Sequence, residues 1–165
     1  MVKNKMQLPN RKPIRLKEFD YSTPGAYFIT ICTKNRKNIL SDIVGGDAHI
    51  APKILLSKYG VICEKYIGNI KIKYPNVTVD KYIIMPNHIH LIISIHGTMK
   101  ASSPTPEIKN IIRSFKIMVT KKLGFSCWQR SYYDHIIRNE NDYFEIYRYI
   151  ENNPYKWRED KLYNK

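Results

Sequence analysis

The sequence predicts an α+β protein with a ferredoxin-like fold, in which a βαββαβ unit forms one antiparallel sheet and an additional C-terminal helix follows it. Three patterns support this prediction. Two strand-like segments, the second alternating with period 2, flank a Pro-Asn pair and indicate a β-hairpin; amphipathic helical segments lie before and after that hairpin; and another strand pattern precedes the last helix. The chain has 165 residues and no visible internal repeat, so we expect a single domain.

The N-terminal segment differs from the rest of the chain. Residues 1–20 are polar, carry six Lys or Arg and show no hydrophobic period, which predicts an extended basic arm. We expect the folded domain at residues 21–157 and a charged, loosely ordered tail at residues 158–165.

The first predicted strand is residues 26–33, which are rich in β-branched and aromatic side chains. Lys34, Arg36 and Lys37 follow its end, where cations can meet phosphate groups. Residues 41–54 contain a Gly-Gly pair and predict a loop or a small peripheral hairpin.

Two amphipathic segments predict helices. Ser57 is a suitable N-cap for the first, which runs to about Lys73, and the second covers about residues 107–123 and ends at Gly124. A Ser/Thr/Pro-rich loop at 97–106 precedes the second helix. The apolar side chains at helical spacing are Tyr59, Ile62, Cys63, Tyr66, Ile67 and Ile70 in the first helix and Ile108, Ile111, Ile112, Phe115, Met118 and Val119 in the second.

The hairpin between these helices combines strands at about 77–85 and 88–96 with a tight turn at Pro86 and Asn87. Side chains alternate along a strand. One face of the second strand therefore carries His88, His90, Ile92 and Ser94, and the other carries Ile89, Leu91, Ile93 and Ile95.

His88 and His90 thus stand side by side at the start of a central strand. Two imidazoles in this arrangement can be two ligands of one divalent cation whose remaining coordination positions are open. A buried histidine can also be structural, provided that its ring nitrogens find partners. The strand pattern leaves metal or phosphate chemistry and a structural role both open.

An aromatic and basic segment at 128–138 predicts the last strand with its approach. Asn139 or Asn141 then starts the third helix, which runs to about Asn152. Its apolar stripe is Tyr143, Ile146, Tyr147 and Ile150.

Tyr149 and Asn153 lie one turn apart at the edge of this stripe, with Asp142 near the same line. A tyrosine at this boundary can face a polar site on the sheet, or it can simply pack.

The net charge of +14 predicts a polyanionic partner, and nucleic acid is the natural one. Thirteen tyrosines offer stacking faces that suit unpaired bases better than duplex grooves. No apolar run or leader pattern predicts a membrane segment. Three cysteines without a C-x-x-C spacing predict reduced thiols of a cytoplasmic protein.

Several blocks in order resemble one family. His88-Ile89-His90 is similar to the HUH motif, two histidines around a hydrophobic residue. Together with Trp128-Gln129-Arg130, His135–Asn139 and Tyr149–Pro154, it resembles the single-tyrosine transposases of insertion sequences, and most of all their REP-associated branch. Residues 25–33 are also similar to the first strand of that family, and the resemblance covers about residues 20–157.

The resemblance implies a ferredoxin-like fold and a role for each site residue. His88 and His90 would bind Mg²⁺ or Mn²⁺, Asn153 would be the third ligand, and Tyr149 would be the nucleophile. Cleavage of single-stranded DNA with hairpin ends would form a 5′-phosphotyrosine and release a 3′-hydroxyl, which another 3′-hydroxyl later reverses. No nucleotide cofactor is expected, and the sequence has no G-x-x-x-x-G-K-[ST] loop.

Residues expected to contact DNA are Lys34, Arg36, Lys37, Arg113, Lys116, Arg130, His135 and Arg138. The main alternative is a non-catalytic, regulatory domain that binds single-stranded nucleic acid and derives from such a transposase. A two-histidine phosphoesterase would need a second His-x-Thr/Ser unit, which the sequence lacks. Monomer and homodimer both remain open.

Overall fold

The structure is a computed structural model that describes residues 23–46, 50–97 and 105–163. Its strands are β1 (Gly25–Cys32), β2 (Ser41–Val44), β3 (Lys53–Leu56), β4 (Val77–Ile84), β5 (His88–Ile95) and β6 (Tyr133–Ile137); its helices are α1 (Lys58–Lys73), α2 (Ile108–Leu123) and α3 (Glu140–Asn152). The predicted arm at 1–20 and most of the predicted loop at 97–106 lie outside the described residues. No described helix has the length and apolar character that crossing a membrane requires.

The main sheet has the strand order β4-β5-β1-β6, and every neighbouring pair is antiparallel. Helix α1 connects β1 to β4, and α2 connects β5 to β6, so each helix links two strands that are separated by one other strand. This is the split βαβ arrangement of a ferredoxin-like fold, and it confirms the predicted fold class. Strands β2 and β3 form a separate hairpin, as the Gly-Gly pair suggested.

Helices α1 and α2 pack on one face of the sheet and enclose the larger core. Ser57 caps α1 by accepting hydrogen bonds from the amides of Tyr59 and Gly60, and Gly124 ends α2 in the left-handed conformation. Met118, predicted to be buried, is 40% exposed because it lies at the groove between α1 and α2. The buried side chains of this layer include Tyr27, Ile29, Ile31, Ile67, Ile89, Leu91, Ile93, Ile111 and Phe115.

Helix α3 packs on the opposite face of the sheet. Asn139 caps it by accepting a hydrogen bond from the amide of Asp142. The predicted stripe of α3 contacts a small second core formed by Phe28, Ile92 and Ile150, with Tyr143, Ile146 and Tyr147 packed around it. The predicted rotation of the helix is therefore confirmed, and it places the end of α3 over the first residues of β5.

The turn between β4 and β5 is tied to the end of β1. Met85 N donates to His88 O across the turn (2.9 Å), and the backbone amide and the hydroxyl of Thr33 both donate to Asn87 O (2.9 and 3.0 Å). These bonds fix where β5 begins and so hold His88 in place.

The chain after α3 differs from the predicted tail. Residues 154–163, here called the C-terminal strap, fold back across the end of the sheet and include a 3₁₀ turn at Trp157–Glu159. Trp157 is buried, and the tyrosine ring of Tyr163 packs against it with the ring centroids 5.1 Å apart. Apolar contacts of the tryptophan thus order a segment whose charge had indicated a loose tail.

Candidate active site

Strand β5 presents His88 and His90 on the face that α3 covers. In the register with β1, His88 lies opposite Cys32 and His90 opposite Thr30. Both histidines are buried, and their Nε2 atoms lie 3.0 Å apart. The predicted pairing of the two rings on one face is confirmed.

Each histidine has a hydrogen-bond partner at its other ring nitrogen. Nδ1 of His88 lies 2.8 Å from Oδ1 of Asn87, and Nδ1 of His90 lies 2.8 Å from the hydroxyl of Thr30. Partners of this kind fix the orientation of a ligating ring. The sequence indicated Asn87 as a turn residue and Thr30 as a strand residue, and their roles here come from the register of β1 with β5 and from the turn.

The orientation of the buried Asn87 amide is set by two backbone carbonyls. Its Nδ2 donates to Leu162 O (2.8 Å) and to Arg36 O (3.3 Å), which leaves Oδ1 directed at His88. Because an amide oxygen only accepts, His88 carries its proton on Nδ1 and has a lone pair on Nε2. That lone pair points into the site.

Burial keeps both rings neutral. It lowers the pKa of His88 to about 4, although the Asp160 carboxylate and the Asn153 side chain act in the opposite direction. Burial, together with the neighbouring His88, holds the pKa of His90 well below its usual value. Neutral imidazole is the form that binds a metal ion.

Tyr149 lies above His90 at the mouth of the site. Its hydroxyl oxygen is 3.5 Å from His90 Nε2, its ring centroid is 5.3 Å from that of His90, and its side chain is 46% exposed. The ring also meets Phe28 edge-on at 6.0 Å. Burial and the charge of Asp160 raise the pKa of the phenol, so Tyr149 is protonated at neutral pH when no cation is nearby.

Asn153 lies in the site one turn after Tyr149, as predicted. It keeps helical backbone angles at the C-cap of α3 although Pro154 follows it. Its buried Nδ2 donates to Oδ2 of Asp160 (2.9 Å), and among the described residues its Oδ1 has no hydrogen-bond partner. The Asp160 carboxylate therefore holds the Asn153 amide, whose buried Oδ1 is available as an acceptor.

Asp160 is the site residue that the sequence did not indicate. One of its carboxylate oxygens and one ring nitrogen each of His88 and His90 lie within 4.8 Å of one another. Two neutral imidazoles and a carboxylate oxygen form a donor set that suits a divalent cation, and the unpartnered Asn153 oxygen beside them is a further possible donor. Asp160 belongs to the strap, and no periodic pattern connects it to the histidines.

An open cleft of about 1000 Å³ leads from His90 along α3, β1 and the start of β6. Aromatic side chains form part of its wall, namely those of Phe28, Tyr132, Tyr133 and Tyr149. Arg148, Lys156 and Lys161 bring positive charge to the same cleft and were not among the predicted contacts. The cleft combines stacking faces with cations at the site of Tyr149.

Most of the predicted DNA contacts are exposed, whereas Lys116 and His135 are bound to other groups of the protein. Lys34, Arg36 and Lys37 are exposed in the turn after β1, and Nη1 of Arg36 donates to Lys161 O of the strap (3.2 Å). Arg130 and Arg138 are exposed at the two ends of the β6 region. Arg113 is exposed on α2, which packs on the sheet face opposite the cleft.

The side chains of Lys116 and His135 form hydrogen bonds or an ion pair with other groups of the protein. Nζ of Lys116 donates to the carbonyls of Gln129 and Ser131, at 2.9 Å each, and burial lowers its pKa to about 8. The ammonium thus fastens α2 to the segment before β6. His135 lies 3.0 Å from the carboxylate of Asp142, so Asp142, predicted near the line of Tyr149, anchors the start of α3 instead.

Comparison with known proteins places this geometry in a family. A sequence model of the family described as Transposase IS200 like matches residues 23–153, from the start of β1 to the end of α3. The chain belongs to the IS200-like transposase family. The predicted family resemblance is therefore confirmed, and the match includes the histidine pair and Tyr149.

Two relatives come from Haemophilus influenzae. This transposase is 37% identical to an uncharacterised protein over 174 residues, an alignment that covers 93% of each chain. It is 28% identical over 147 residues to a protein provisionally named as a REP-associated tyrosine transposase, covering 83% of this chain and 74% of that protein. A solved structure of a REP-associated tyrosine transposase bound to a REP hairpin superimposes with a TM-score of 0.62 at 23% identity, covering 87% and 74% of the two chains. The superposition shows a common fold.

Proposed function

We propose that this transposase cleaves and rejoins single-stranded DNA through a covalent phosphotyrosine at Tyr149, with a divalent cation held at His88 and His90. The observation that carries this proposal is the position of the Tyr149 hydroxyl, 3.5 Å from His90 Nε2 at the mouth of a cleft lined by aromatic and charged side chains. A nucleophile next to a cation site and open to a strand-sized cleft is what phosphoryl transfer requires.

The proposed reaction balances without a nucleotide cofactor. The Tyr149 oxygen attacks the scissile phosphorus, an O–P bond forms to the 5′ side, and the P–O3′ bond breaks. The phenolic proton is lost, and the departing 3′ oxygen takes up a proton as a hydroxyl. Attack by another 3′-hydroxyl on the phosphotyrosine breaks the O–P bond to Tyr149 and restores the phosphodiester, so the bond energy is retained.

The residues of the chain prepare this step before DNA arrives. Asn87 and Thr30 orient the rings of His88 and His90, and burial keeps both rings neutral. Helix α3 holds the Tyr149 hydroxyl beside His90. A bound Mg²⁺ or Mn²⁺ would supply the positive charge that polarises the phosphate and lowers the pKa of the phenol.

We propose that the substrate is single-stranded DNA with hairpin ends. The net charge of +14 and the cations Arg148, Lys156 and Lys161 of the cleft suit a phosphate backbone. The aromatic wall suits unpaired bases. The structurally similar relative with its REP hairpin supports the hairpin as the paired part of the substrate.

Covalent trapping tests the proposed function. The protein is incubated with Mn²⁺ and single-stranded DNA from beside its own gene, and adducts are resolved by denaturing electrophoresis and mapped by mass spectrometry. We expect an adduct on Tyr149 that Tyr149→Phe abolishes. Tyr147→Phe is the matched control, because it removes the same hydroxyl from a packed tyrosine of α3 and should leave the adduct. DNA binding without any adduct would favour the non-catalytic alternative.

A further inference from the structure

The strap contributes to the site although it lies beyond the region that the family model matches. The match ends at residue 153, and Asp160 follows seven residues later. An oxygen of the Asp160 carboxylate nevertheless lies within 4.8 Å of a ring nitrogen of each histidine. The metal-binding geometry of this chain therefore includes a side chain that the family match does not cover.

Asp160 is held in position from both sides. Its Oδ2 accepts a hydrogen bond from Nδ2 of Asn153 (2.9 Å), and its Oδ1 accepts one from the backbone amide of Leu162 (2.7 Å). Each oxygen of a carboxylate can accept more than one bond, so both keep a lone pair for a cation. The two bonds hold the carboxylate in place beside the histidines before any cation arrives.

The strap also contacts the residues that orient His88. Nδ2 of Asn87 donates to Leu162 O (2.8 Å), and the ring of Trp157 lies 5.8 Å from that of His88, centroid to centroid. Arg36, whose carbonyl also accepts from Asn87, donates to Lys161 O. Asn87, which orients His88, is therefore itself held by the strap.

We propose that Asp160 is the third protein ligand of the divalent cation, and that cation binding and docking of the strap stabilise each other. The proposal rests on the proposed cation site at His88 and His90. Two neutral imidazoles bring no charge to offset a divalent ion, whereas a carboxylate does, and hard cations such as Mn²⁺ prefer its oxygen to an amide oxygen. Asn153, which the family resemblance implies as a ligand, is then a positioning residue that holds Asp160.

Coupling follows from the same geometry. With Asp160 as ligand, the cation binds the docked strap better than a detached one. A ligand that prefers one state shifts the population toward it, and the effect is reciprocal. Mn²⁺ should therefore protect the strap amides from hydrogen exchange. A variant whose strap lacks the carboxylate should bind Mn²⁺ more weakly.

Mn²⁺ titration, followed by calorimetry and by the loss of the free-ion electron paramagnetic resonance signal, tests the ligand. The variant is Asp160→Asn, and Glu159→Gln is the matched control because it removes a neighbouring carboxylate of the same cleft. We expect Mn²⁺ affinity to fall by about tenfold or more in Asp160→Asn and to remain near that of the wild type in Glu159→Gln. Equal affinity in wild type and Asp160→Asn would overturn the proposal.

A second variant covers the case in which Asp160→Asn disturbs the fold. Asp160→Cys in the presence of a phosphine reductant offers a soft thiolate, so its affinity should shift from Mn²⁺ toward Cd²⁺ relative to the wild type. Asn153→Cys should show no such shift. A shift in Asn153→Cys but not in Asp160→Cys would make Asn153 the ligand and overturn the proposal.

Hydrogen exchange of the wild type, with and without Mn²⁺, tests the coupling. We expect Mn²⁺ to slow exchange in residues 155–163, and we expect this protection to be lost in Asp160→Asn. Unchanged exchange in the strap at saturating Mn²⁺ would contradict the coupling. Failure of the underlying cation site is distinguishable, because Mn²⁺ binding would then be absent in the wild type or unaffected by His88→Ala.

Discussion

The Nε2 atoms of His88 and His90 lie 3.0 Å apart, and the Nδ1 atom of each ring already has a partner. His88 carries its proton on Nδ1, so its Nε2 is an acceptor. The Thr30 hydroxyl both donates and accepts, which allows His90 to hold its proton on either nitrogen. The two rings can therefore share a proton through Nε2 of His90, or turn two lone pairs toward a cation, without moving their other partners.

Replacement of either histidine should remove metal-dependent cleavage. In His88→Ala and in His90→Ala one of two converging nitrogen ligands is lost, so we expect no covalent adduct at Mg²⁺ concentrations that saturate the wild type. Binding of hairpin-bearing single-stranded DNA should remain close to normal, because both rings are buried below the cleft. Adduct assays and fluorescence anisotropy measure the two properties. Normal cleavage by either variant would show that the pair is structural.

The free energy of unfolding should depend on pH through His88. The pKa of the imidazole is near 6.5 in the unfolded chain, and burial in the folded protein lowers the pKa of His88 to about 4. Between these values the unfolded state binds more protons than the folded state. The free energy of unfolding is therefore not reduced by His88 above about pH 6.5, and it decreases as the pH falls toward about 4. Protonation of His88 can lower the free energy of unfolding by at most about 3 kcal/mol. Chemical denaturation in EDTA at pH 7.5 and 4.5 should therefore show a smaller difference for His88→Gln than for the wild type; an equal difference would contradict the assigned burial.

DNA affinity should depend on salt and on strand structure. The cleft cations and the exposed cations after β1 replace counterions on several phosphates, so affinity should fall about tenfold or more between ~50 and ~200 mM salt. Hairpin-bearing single-stranded DNA should bind better than blunt duplex, because aromatic side chains line the cleft. A salt-independent affinity, or a preference for plain duplex, would count against this use of the cleft.

Substitutions of Lys116 and Arg148 should have opposite effects on stability and on DNA affinity. Lys116→Met leaves the carbonyls of Gln129 and Ser131 without their donor, so we expect a loss of stability of about 1–3 kcal/mol with little change in DNA affinity. Arg148→Met removes an exposed cation of the cleft, so DNA affinity should fall while stability stays near that of the wild type. Thermal unfolding and anisotropy separate the two effects. Reversed results would return Lys116 to the DNA-binding surface.

Local patterns predicted the fold and much of the site. The period-2 alternation of β5 placed His88 and His90 on one face, and the helical period of α3 placed Tyr149 beside its apolar stripe, because each depends on one element alone. Asp160 depends on a chain reversal after Pro154 and on packing of Trp157, and no periodic signal records either. Lys116 illustrates a related limit of local patterns: its position on α2 indicates an exposed cation, whereas its ammonium donates to carbonyls of the segment before β6.

Thr30 offers the sharpest test of how the sheet prepares the site. Its hydroxyl lies 2.8 Å from Nδ1 of His90, and the two residues are direct partners across β1 and β5. Thr30→Val keeps the shape and the strand preference of the side chain but removes that partner, so the ring of His90 can rotate away from His88. Loss of such a supporting bond lowers metal affinity by about 10–100-fold in comparable sites.

We therefore expect Thr30→Val to need correspondingly more Mn²⁺ for half-maximal adduct formation, with the yield restored at high Mn²⁺. Thr78→Val is the matched control, since Thr78 is paired with Ser94 towards the other end of β5 and its hydroxyl contacts Asp80 and His96, which lie away from the His88–His90 pair. It should titrate like the wild type. An unchanged Mn²⁺ requirement in Thr30→Val would mean that packing against Phe28, whose ring centroid lies 5.1 Å from that of His90, is sufficient to orient the ring. A loss of yield that high Mn²⁺ does not restore would place the Thr30 hydroxyl in the chemical step itself.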